Sequence, residues 1–138
     1  MTTLLFSSKA DDAGAWTKAL QKRMPDLKVR VFPEVGDVRD IDIALVWRYP
    51  PGDLQRYPNL KLICSLAAGI DHILTDPGLP RHIPLTRMVD PLLTLSMSEY
   101  VLMAVLRYHR WMPDFARFQR EGLWKKMPYP DTAKRRVG

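Results

Sequence analysis

Five short runs with the residue pattern of strands recur along the first 90 residues, and the segments between them carry helix or turn signals. The runs cover residues 3–6, 29–32, 43–47, 60–66 and 84–88. Several of them are apolar at consecutive positions, which is typical of strands that are buried on both faces. Strands that alternate with helices in this way predict an α/β fold with an open parallel sheet of about five strands.

The intervening helices are indicated by capping and breaking residues. Asp11 or Asp12 provides an N-cap for a first helix, and Pro25 ends it. Further short helices are predicted over residues 53–57 and 70–74, each directly after a strand and a turn. No internal repeat or low-complexity segment interrupts this order.

The pattern changes at residue 92. A long helix is predicted from Leu92 to about Met112, where Pro113 breaks it. A second helix that carries Phe115 and Phe118 is expected to end near Gly122.

Lys134 to Gly138 resemble the start of another strand. A compact domain does not normally end as it enters a strand, so we expect this chain to stop short of a further domain. We divide it into a substrate-binding domain, 1–91, and an interdomain helix with an arm, 92–138.

The net charge of +6 is concentrated in the C-terminal part of the chain. Residues 1–106 hold 12 basic and 12 acidic side chains, whereas residues 107–138 hold 9 basic and 3 acidic ones. Neither stacking aromatics nor a base-reading motif accompanies this charge, so we predict no nucleic-acid partner.

Membranes and secretion are not expected either. No apolar run reaches the roughly 18 residues that span a bilayer. No basic segment precedes the N-terminal apolar stretch, so a signal peptide is not expected and we predict a cytoplasmic protein. Cys64 is the single cysteine, which excludes an internal disulfide.

The most informative segment is Leu66-Ala67-Ala68-Gly69-Ile70-Asp71-His72, where a strand ends and a helix begins. Small side chains there expose the backbone N–H groups of Ala68, Gly69 and Ile70, and ligands of open α/β sheets bind at the carboxyl ends of the strands. The segment is therefore a candidate site for a small carboxylate or phosphate. An ordinary tight turn with Asp71 as the helix cap is the alternative.

A second candidate, Trp47-Arg48, also follows a strand. Arg48 is suited to grip a carboxylate through two hydrogen bonds, and Trp47 is suited to wall a pocket. The alternative is a packed tryptophan beside a solvated arginine.

No other pattern in the chain indicates a catalytic or metal site. His72, His82 and His109 are scattered without carboxylate spacing, and Glu99 is placed to complement the dipole of its helix. The 138 residues contain no glycine-rich nucleotide motif. We therefore expect no metal site and no catalytic residue within this chain.

The order of several segments resembles the D-isomer-specific 2-hydroxyacid dehydrogenases, in particular their glyoxylate/hydroxypyruvate reductase A branch. No single motif is specific, but the ordered series is, and it extends over nearly the whole chain. The matching segments are 44–47 with the prolines that follow, 59–63, 66–71, 84–87, 99–100 and 123–128.

This resemblance implies a flavodoxin-like substrate domain, followed by a long helix that crosses to a Rossmann domain missing from the chain. It implies NADPH as cofactor, with NADH as the alternative, bound mainly by residues beyond Gly138. The catalytic arginine, glutamate and histidine of the family are expected there as well, so the chain alone is expected to be inactive.

The resemblance also implies roles for residues within the chain. Ala68 and Gly69, with Ile70 beside them, correspond to the backbone that holds the carboxylate of a 2-keto acid such as glyoxylate or hydroxypyruvate. Trp47 corresponds to a pocket wall, whereas Arg48 departs from the histidine expected there, which leaves its contact with substrate open. Trp124 corresponds to an arm position that reaches the partner subunit of a homodimer.

Two readings from other functional classes compete with the reductase. One is a non-enzymatic flavodoxin-like module that binds a small anion or docks a partner, with Asp11 and Asp12 as a weak match to an acidic phosphoacceptor pocket. The other is a nucleic-acid adaptor that uses the basic arm. A glycine-rich turn encoded directly after Gly138 would favour the enzyme, and a stop codon would favour the module.

Overall fold

The computed structural model describes residues 1–134 and 136, and the chain forms two compact units, Met1–Val89 and Asp90–Gly138. Thr132–Lys134 form a short 3-10 turn. The strand expected from Lys134 onward rests on Arg135, Val137 and Gly138, which lie outside the described residues.

The first unit is a five-stranded parallel sheet. The strands pair in the order β2-β1-β3-β4-β5. This is the flavodoxin-like order, in which the connections leave β1 and β3 in opposite directions. The predicted α/β fold with a parallel sheet is confirmed. The strands are β1 Thr3–Ser8, β2 Lys28–Val31, β3 Ile43–Trp47, β4 Leu62–Ser65 and β5 Leu85–Thr86.

Alternate residues of the central strands point to two separate hydrophobic layers, because successive side chains of a strand face opposite sides of the sheet. Leu5 and Val46 pack on one face with Ile63. Leu4 and Leu45 pack on the other face. Both layers bury apolar side chains, which explains why β1 and β3 read as continuous apolar runs.

Helices cover these layers. The first helix, α1, spans Ala13–Arg23, and the Asp12 side chain caps it by accepting hydrogen bonds from the N–H groups of Gly14 and Ala15. The predicted helix over 53–57 is a 3-10 helix, Asp53–Arg56. The helix predicted over 70–74 is α2, Asp71–Leu74.

The second unit consists mainly of α3, Pro91–His109, and α4, Met112–Arg120. The break predicted at Pro113 is misplaced: the helix ends at His109, and Trp111 turns the chain with a left-handed φ of 59°. Pro113 lies in the first turn of α4, where a missing N–H costs nothing because that N–H has no helical partner.

The aromatic residues of the second unit differ in exposure. Phe118 is 4% exposed and meets the Phe115 ring edge-on at 6.4 Å between centroids. Trp111 donates a hydrogen bond from Nε1 to the carbonyl of Pro128 at 3.0 Å, which holds the loop against the helix turn. Within the described residues, no helix is both long and apolar enough to cross a membrane.

Candidate anion-binding site

The two candidate segments lie at the same edge of the sheet. Strands β3 and β4 are parallel neighbours, with Val46 paired to Ser65, and the N–H of Leu66 donates to the carbonyl of Val46 at 3.0 Å. Trp47-Arg48 and Ala67-Ala68 follow directly at their carboxyl ends. The sheet therefore brings the two segments together, about one strand spacing of 4.8 Å apart at the backbone.

The segment after β4 presents unused hydrogen-bond donors. Among the described residues, the backbone N–H groups of Ala68, Gly69 and Ile70 donate to no protein acceptor. Three successive free N–H groups beside small side chains are hydrogen-bond donors that can bind an anion. Since α2 has only four residues, its dipole adds little to this attraction.

The carbonyl groups of this loop are tied back to the sheet. The N–H of Met88 donates to the carbonyl of Ala67 at 3.1 Å, and the Arg87 guanidinium donates to the carbonyl of Ala68 at 3.4 Å. The loop is thereby held with its N–H groups available. Arg87 also brings a positive charge to the loop, and it has no carboxylate partner among the described residues.

Gly69 leaves the space in front of this backbone open. It is exposed, and a Cβ atom built on it would contact only the Oδ2 of Asp71, at 3.7 Å. That is an ordinary van der Waals distance, so the fold itself does not require glycine here.

The alternative role of Asp71 as helix cap is not what the structure shows. Ile70 occupies the cap position, without a side-chain hydrogen bond, and Asp71 is the first residue of α2. Asp71 is exposed, and its carboxylate faces the position that a Gly69 side chain would take. It therefore places a negative charge beside the donor set, opposite in effect to Arg87.

The corner after β3 is strained. Arg48 is exposed and has a left-handed φ of 48°, a conformation that non-glycine residues seldom adopt. Its guanidinium carbon lies 4.8 Å from the centroid of the half-buried Trp47 ring, a cation–π contact. No carboxylate pairs with Arg48 among the described residues, so its charge remains available at this edge of the sheet.

A buried carboxylate behind this corner was not recognised from the sequence. Asp76 is 4% exposed and accepts hydrogen bonds from the Tyr49 hydroxyl at 2.8 Å and from the N–H groups of Gly52 and Gly78 at 2.9 Å. Burial by itself would raise the pKa of Asp76, but these donors outweigh burial and hold the pKa below its usual value. Burial and the same carboxylate raise the pKa of the Tyr49 hydroxyl.

The Asp76 contacts join two loops. A Cβ atom on Gly78 would lie 2.6 Å from the Cα of Gly52, so the backbones of the two loops touch. The Asp76-Pro77-Gly78 sequence indicates a turn, but nothing local indicates its contacts, because the partners of Asp76 lie 24 and 27 residues away in the chain.

Arg87 was also not recognised from the sequence as a contact of the loop 67–70, which we call the donor loop. Its segment, 84–87, was noted only as one of those that resemble the dehydrogenase family.

The remaining candidates fall elsewhere. Asp12 caps α1, and Asp11 accepts from the Ser8 hydroxyl at 2.6 Å, so both carboxylates serve this loop. Trp124 belongs to the second unit and is 98% exposed. Nε2 of His72, on α2, is buried without a hydrogen-bond partner in the described part of the chain. The described residues contain no group of three side chains suited to hold a metal ion.

The chain is similar in sequence to curated reductases. No family model matches it. It is 36% identical over 129 residues to glyoxylate/hydroxypyruvate reductase A of Yersinia enterocolitica, which covers 90% of this chain and 41% of the relative. The chain thus spans about two fifths of the length of the curated relatives that it matches.

Solved structures of 2-hydroxyacid dehydrogenases are also similar to the chain. A D-isomer-specific 2-hydroxyacid dehydrogenase of Xanthobacter autotrophicus, in complex with NADPH and MES, matches with a TM-score of 0.83 and 40% identity over 96% of this chain and 43% of that one. An NADPH-dependent glyoxylate/hydroxypyruvate reductase of Sinorhizobium meliloti, in complex with NADP and sulfate, has a TM-score of 0.79 and 33% identity over the same shares. The predicted resemblance is confirmed.

Proposed function

On the premise that this chain is built like part of a D-isomer-specific 2-hydroxyacid dehydrogenase, we propose that its protein reduces small 2-keto acids such as glyoxylate and hydroxypyruvate with NADPH. The observation that carries the proposal is the set of unused N–H groups at Ala68, Gly69 and Ile70. It lies where ligands of open α/β sheets bind, and it suits the carboxylate common to these substrates. The relatives named above act on such acids or bind NADPH.

The chain's own residues bind and orient the substrate in this proposal. The N–H groups of Ala68 and Gly69, with Ile70 beside them, hold the carboxylate, and Trp47 limits the space for the rest of the substrate. Arg48 and Arg87 add positive charge, which favours an anion over its neutral acid. Asp71 opposes them, so the carboxylate is bound chiefly by the N–H groups.

NADPH supplies the hydride that reduces the keto carbon, and the keto oxygen takes up a proton to become the hydroxyl. The 138 residues contain no glycine-rich turn that would bind the pyrophosphate of the cofactor. We therefore assign cofactor binding, the proton donor and polarisation of the carbonyl mainly to residues outside this chain. Residues 1–91 then act as the substrate domain and 92–138 as an interdomain helix and dimerisation arm of a cytoplasmic homodimer.

The test compares two proteins made from the same gene. The product of the complete reading frame is expected to oxidise NADPH when glyoxylate or hydroxypyruvate is added, whereas residues 1–138 alone are expected to show no turnover. Absence of turnover by the longer product with every small 2-keto acid tried would reject the proposal. Turnover by residues 1–138 alone would reject the assignment of the reacting groups to residues elsewhere.

A further inference from the structure

Two buried aspartate–tyrosine pairs lie in the first unit, and they differ in what they connect. Asp76 and Tyr49 are 4% and 7% exposed, and Asp53 and Tyr57 are 5% and 3% exposed. Both hydroxyl-to-carboxylate distances are 2.8 Å. The two pairs are therefore matched in chemistry and burial.

Their positions in the chain differ. Asp53 and Tyr57 belong to one local turn, only four residues apart, and Asp53 also pairs with Arg56 at 2.8 Å. Asp76 instead reaches 27 residues back to Tyr49. It thus connects the loop after α2 with the loop that follows β3.

The loop after β3 needs such support because its backbone is strained. Arg48, directly before Tyr49, has a φ of 48°. A non-glycine residue in this region is disfavoured and persists only where surrounding contacts determine the conformation. The side-chain contacts of Asp76 with the Tyr49 hydroxyl and the Gly52 N–H are among those that fix the next residues, beside core packing of Tyr49 and the hydrogen bond from the Asp53 N–H to the Pro50 carbonyl.

We propose that Asp76 is a positioning residue for substrate recognition, which acts through Tyr49 and Gly52 to hold the strained Trp47-Arg48 corner beside the Ala68-Gly69 backbone. The identity of the substrate in this inference rests on the proposed function, whereas the contacts that hold the corner do not depend on it. Asp76 itself is buried, so its role in this proposal is to hold other residues in place and not to bind the substrate. It holds Arg48 in the conformation in which the guanidinium covers the Trp47 ring.

The first test uses the product of the complete reading frame with Tyr49→Phe, which removes one hydroxyl and keeps the ring. Tyr57→Phe is the matched control. Tyr49→Phe is expected to raise KM for glyoxylate by about fivefold or more, as is typical of coupled neighbours, while KM for NADPH stays unchanged. Tyr57→Phe is expected to change neither KM, although both variants lower the unfolding temperature. If both variants changed KM for glyoxylate equally, Asp76 would contribute only to stability, and the inference would be overturned.

A double-mutant cycle separates positioning from stability. If Asp76 acts through the corner, Tyr49→Phe causes no further rise in KM once Arg48→Ala has removed the guanidinium. Independent, additive effects of the two substitutions would contradict the inference. Asp76→Asn provides a second variant: it retains an acceptor oxygen, and it is expected to change KM in the same direction as Tyr49→Phe.

A spectroscopic readout keeps the inference testable if the proposed reaction fails. With 5-fluorotryptophan incorporated, the fluorine resonance of Trp47 is identified by its loss in Trp47→Phe. It is expected to shift or broaden in Tyr49→Phe and to stay in place in Tyr57→Phe. If the wild-type protein reduces no keto acid, the proposed function fails. The Trp47 resonance then tests by itself whether Asp76 and Tyr49 hold the Trp47-Arg48 corner. An unchanged Trp47 resonance in Tyr49→Phe would overturn the inference.

Discussion

Replacement of Gly69 by alanine is the most direct test of the donor loop, because the fold tolerates the added atom. The new Cβ would meet only the Asp71 carboxylate at 3.7 Å, and Gly69 does not need a left-handed backbone. Replacing a glycine in such a position changes stability by no more than about 1 kcal/mol. Any large effect of Gly69→Ala on catalysis must therefore come from the ligand side.

The size of that effect follows from the hydrogen bonds at stake. A Cβ in front of this backbone would displace a carboxylate from the N–H groups of Ala68 and Gly69. A charge-assisted hydrogen bond contributes about 1.5–3 kcal/mol, and each 1.4 kcal/mol is about tenfold in affinity. Loss of one bond should thus lower kcat/KM for glyoxylate by about tenfold to a hundredfold. Gly69→Val adds more bulk and should lower it at least as far.

The assay follows NADPH absorbance at varied keto acid and at varied NADPH, using protein made from the complete reading frame. KM for NADPH should remain unchanged, and the unfolding temperature of Gly69→Ala should match that of the wild type. Gly14→Ala, the same substitution at an exposed glycine of α1, serves as the control and should leave kcat/KM unchanged. A stable Gly69→Ala variant with wild-type kcat/KM for glyoxylate would refute binding of the carboxylate at this loop.

Two further predictions follow from charges in the first unit. Asp71→Asn removes the negative charge beside Gly69, so kcat/KM for glyoxylate should rise by roughly twofold to fivefold at low salt and less at high salt; a decrease in a stable variant would contradict this. The pKa of Asp76 lies below its usual 3.8, so its stabilisation is present above that value and is lost as the pH falls through the lower, folded-state pKa. The unfolding temperatures of wild type and Asp76→Asn should therefore differ at pH 7 and converge as the pH falls below 3.8 through the lowered pKa. A difference that stays as large in acid as at pH 7 would contradict the prediction.

The sequence predicted the sheet well because burial on both faces leaves a local trace. Residues 4–6 and 43–47 are apolar without interruption, and β1 and β3 cover them. Strand ends were less accurate: Leu60 is apolar, yet its N–H donates to the carbonyl of Tyr57 and not to the sheet. The hydrophobic pattern indicates which side chains are buried, whereas the end of a strand depends on which carbonyl group accepts the hydrogen bond from each backbone N–H.

The parts of the site that were missed depend on contacts between distant residues. Small residues after a strand marked Ala68 and Gly69 locally, but no local pattern connects Asp76 with Tyr49. The break between α3 and α4 has a similar cause. Proline is a strong sequence signal, so it drew attention to Pro113, whereas the turn is made at Trp111, a residue type with no tendency toward a left-handed backbone.

The exposed apolar surface of α3 supports the predicted homodimer. Leu95, Leu102 and Leu106 share one face of the helix, and Val101 and Tyr108 lie about 120–140° away from it, on a second face, given about 100° of rotation per residue. All five are between 47% and 70% exposed. A helix that is apolar on two separate faces needs to be covered on both. We propose that a second copy covers one side in a two-fold dimer, the commonest oligomer.

Sedimentation of the product of the complete reading frame tests this dimer. Two variants are compared, Leu102→Glu and Val101→Glu, one on each of the two exposed apolar faces of α3. The wild type is expected to be a dimer at micromolar concentration, and at least one of the two variants a folded monomer, because a buried unpaired carboxylate would be too costly at the interface. A monomeric wild type, or two variants that both remain dimeric, would defeat the proposal. Trp124→Ala adds a finer distinction: a dimer with weakened glyoxylate binding would place this exposed side chain at a substrate site, and loss of the dimer would place it in the interface.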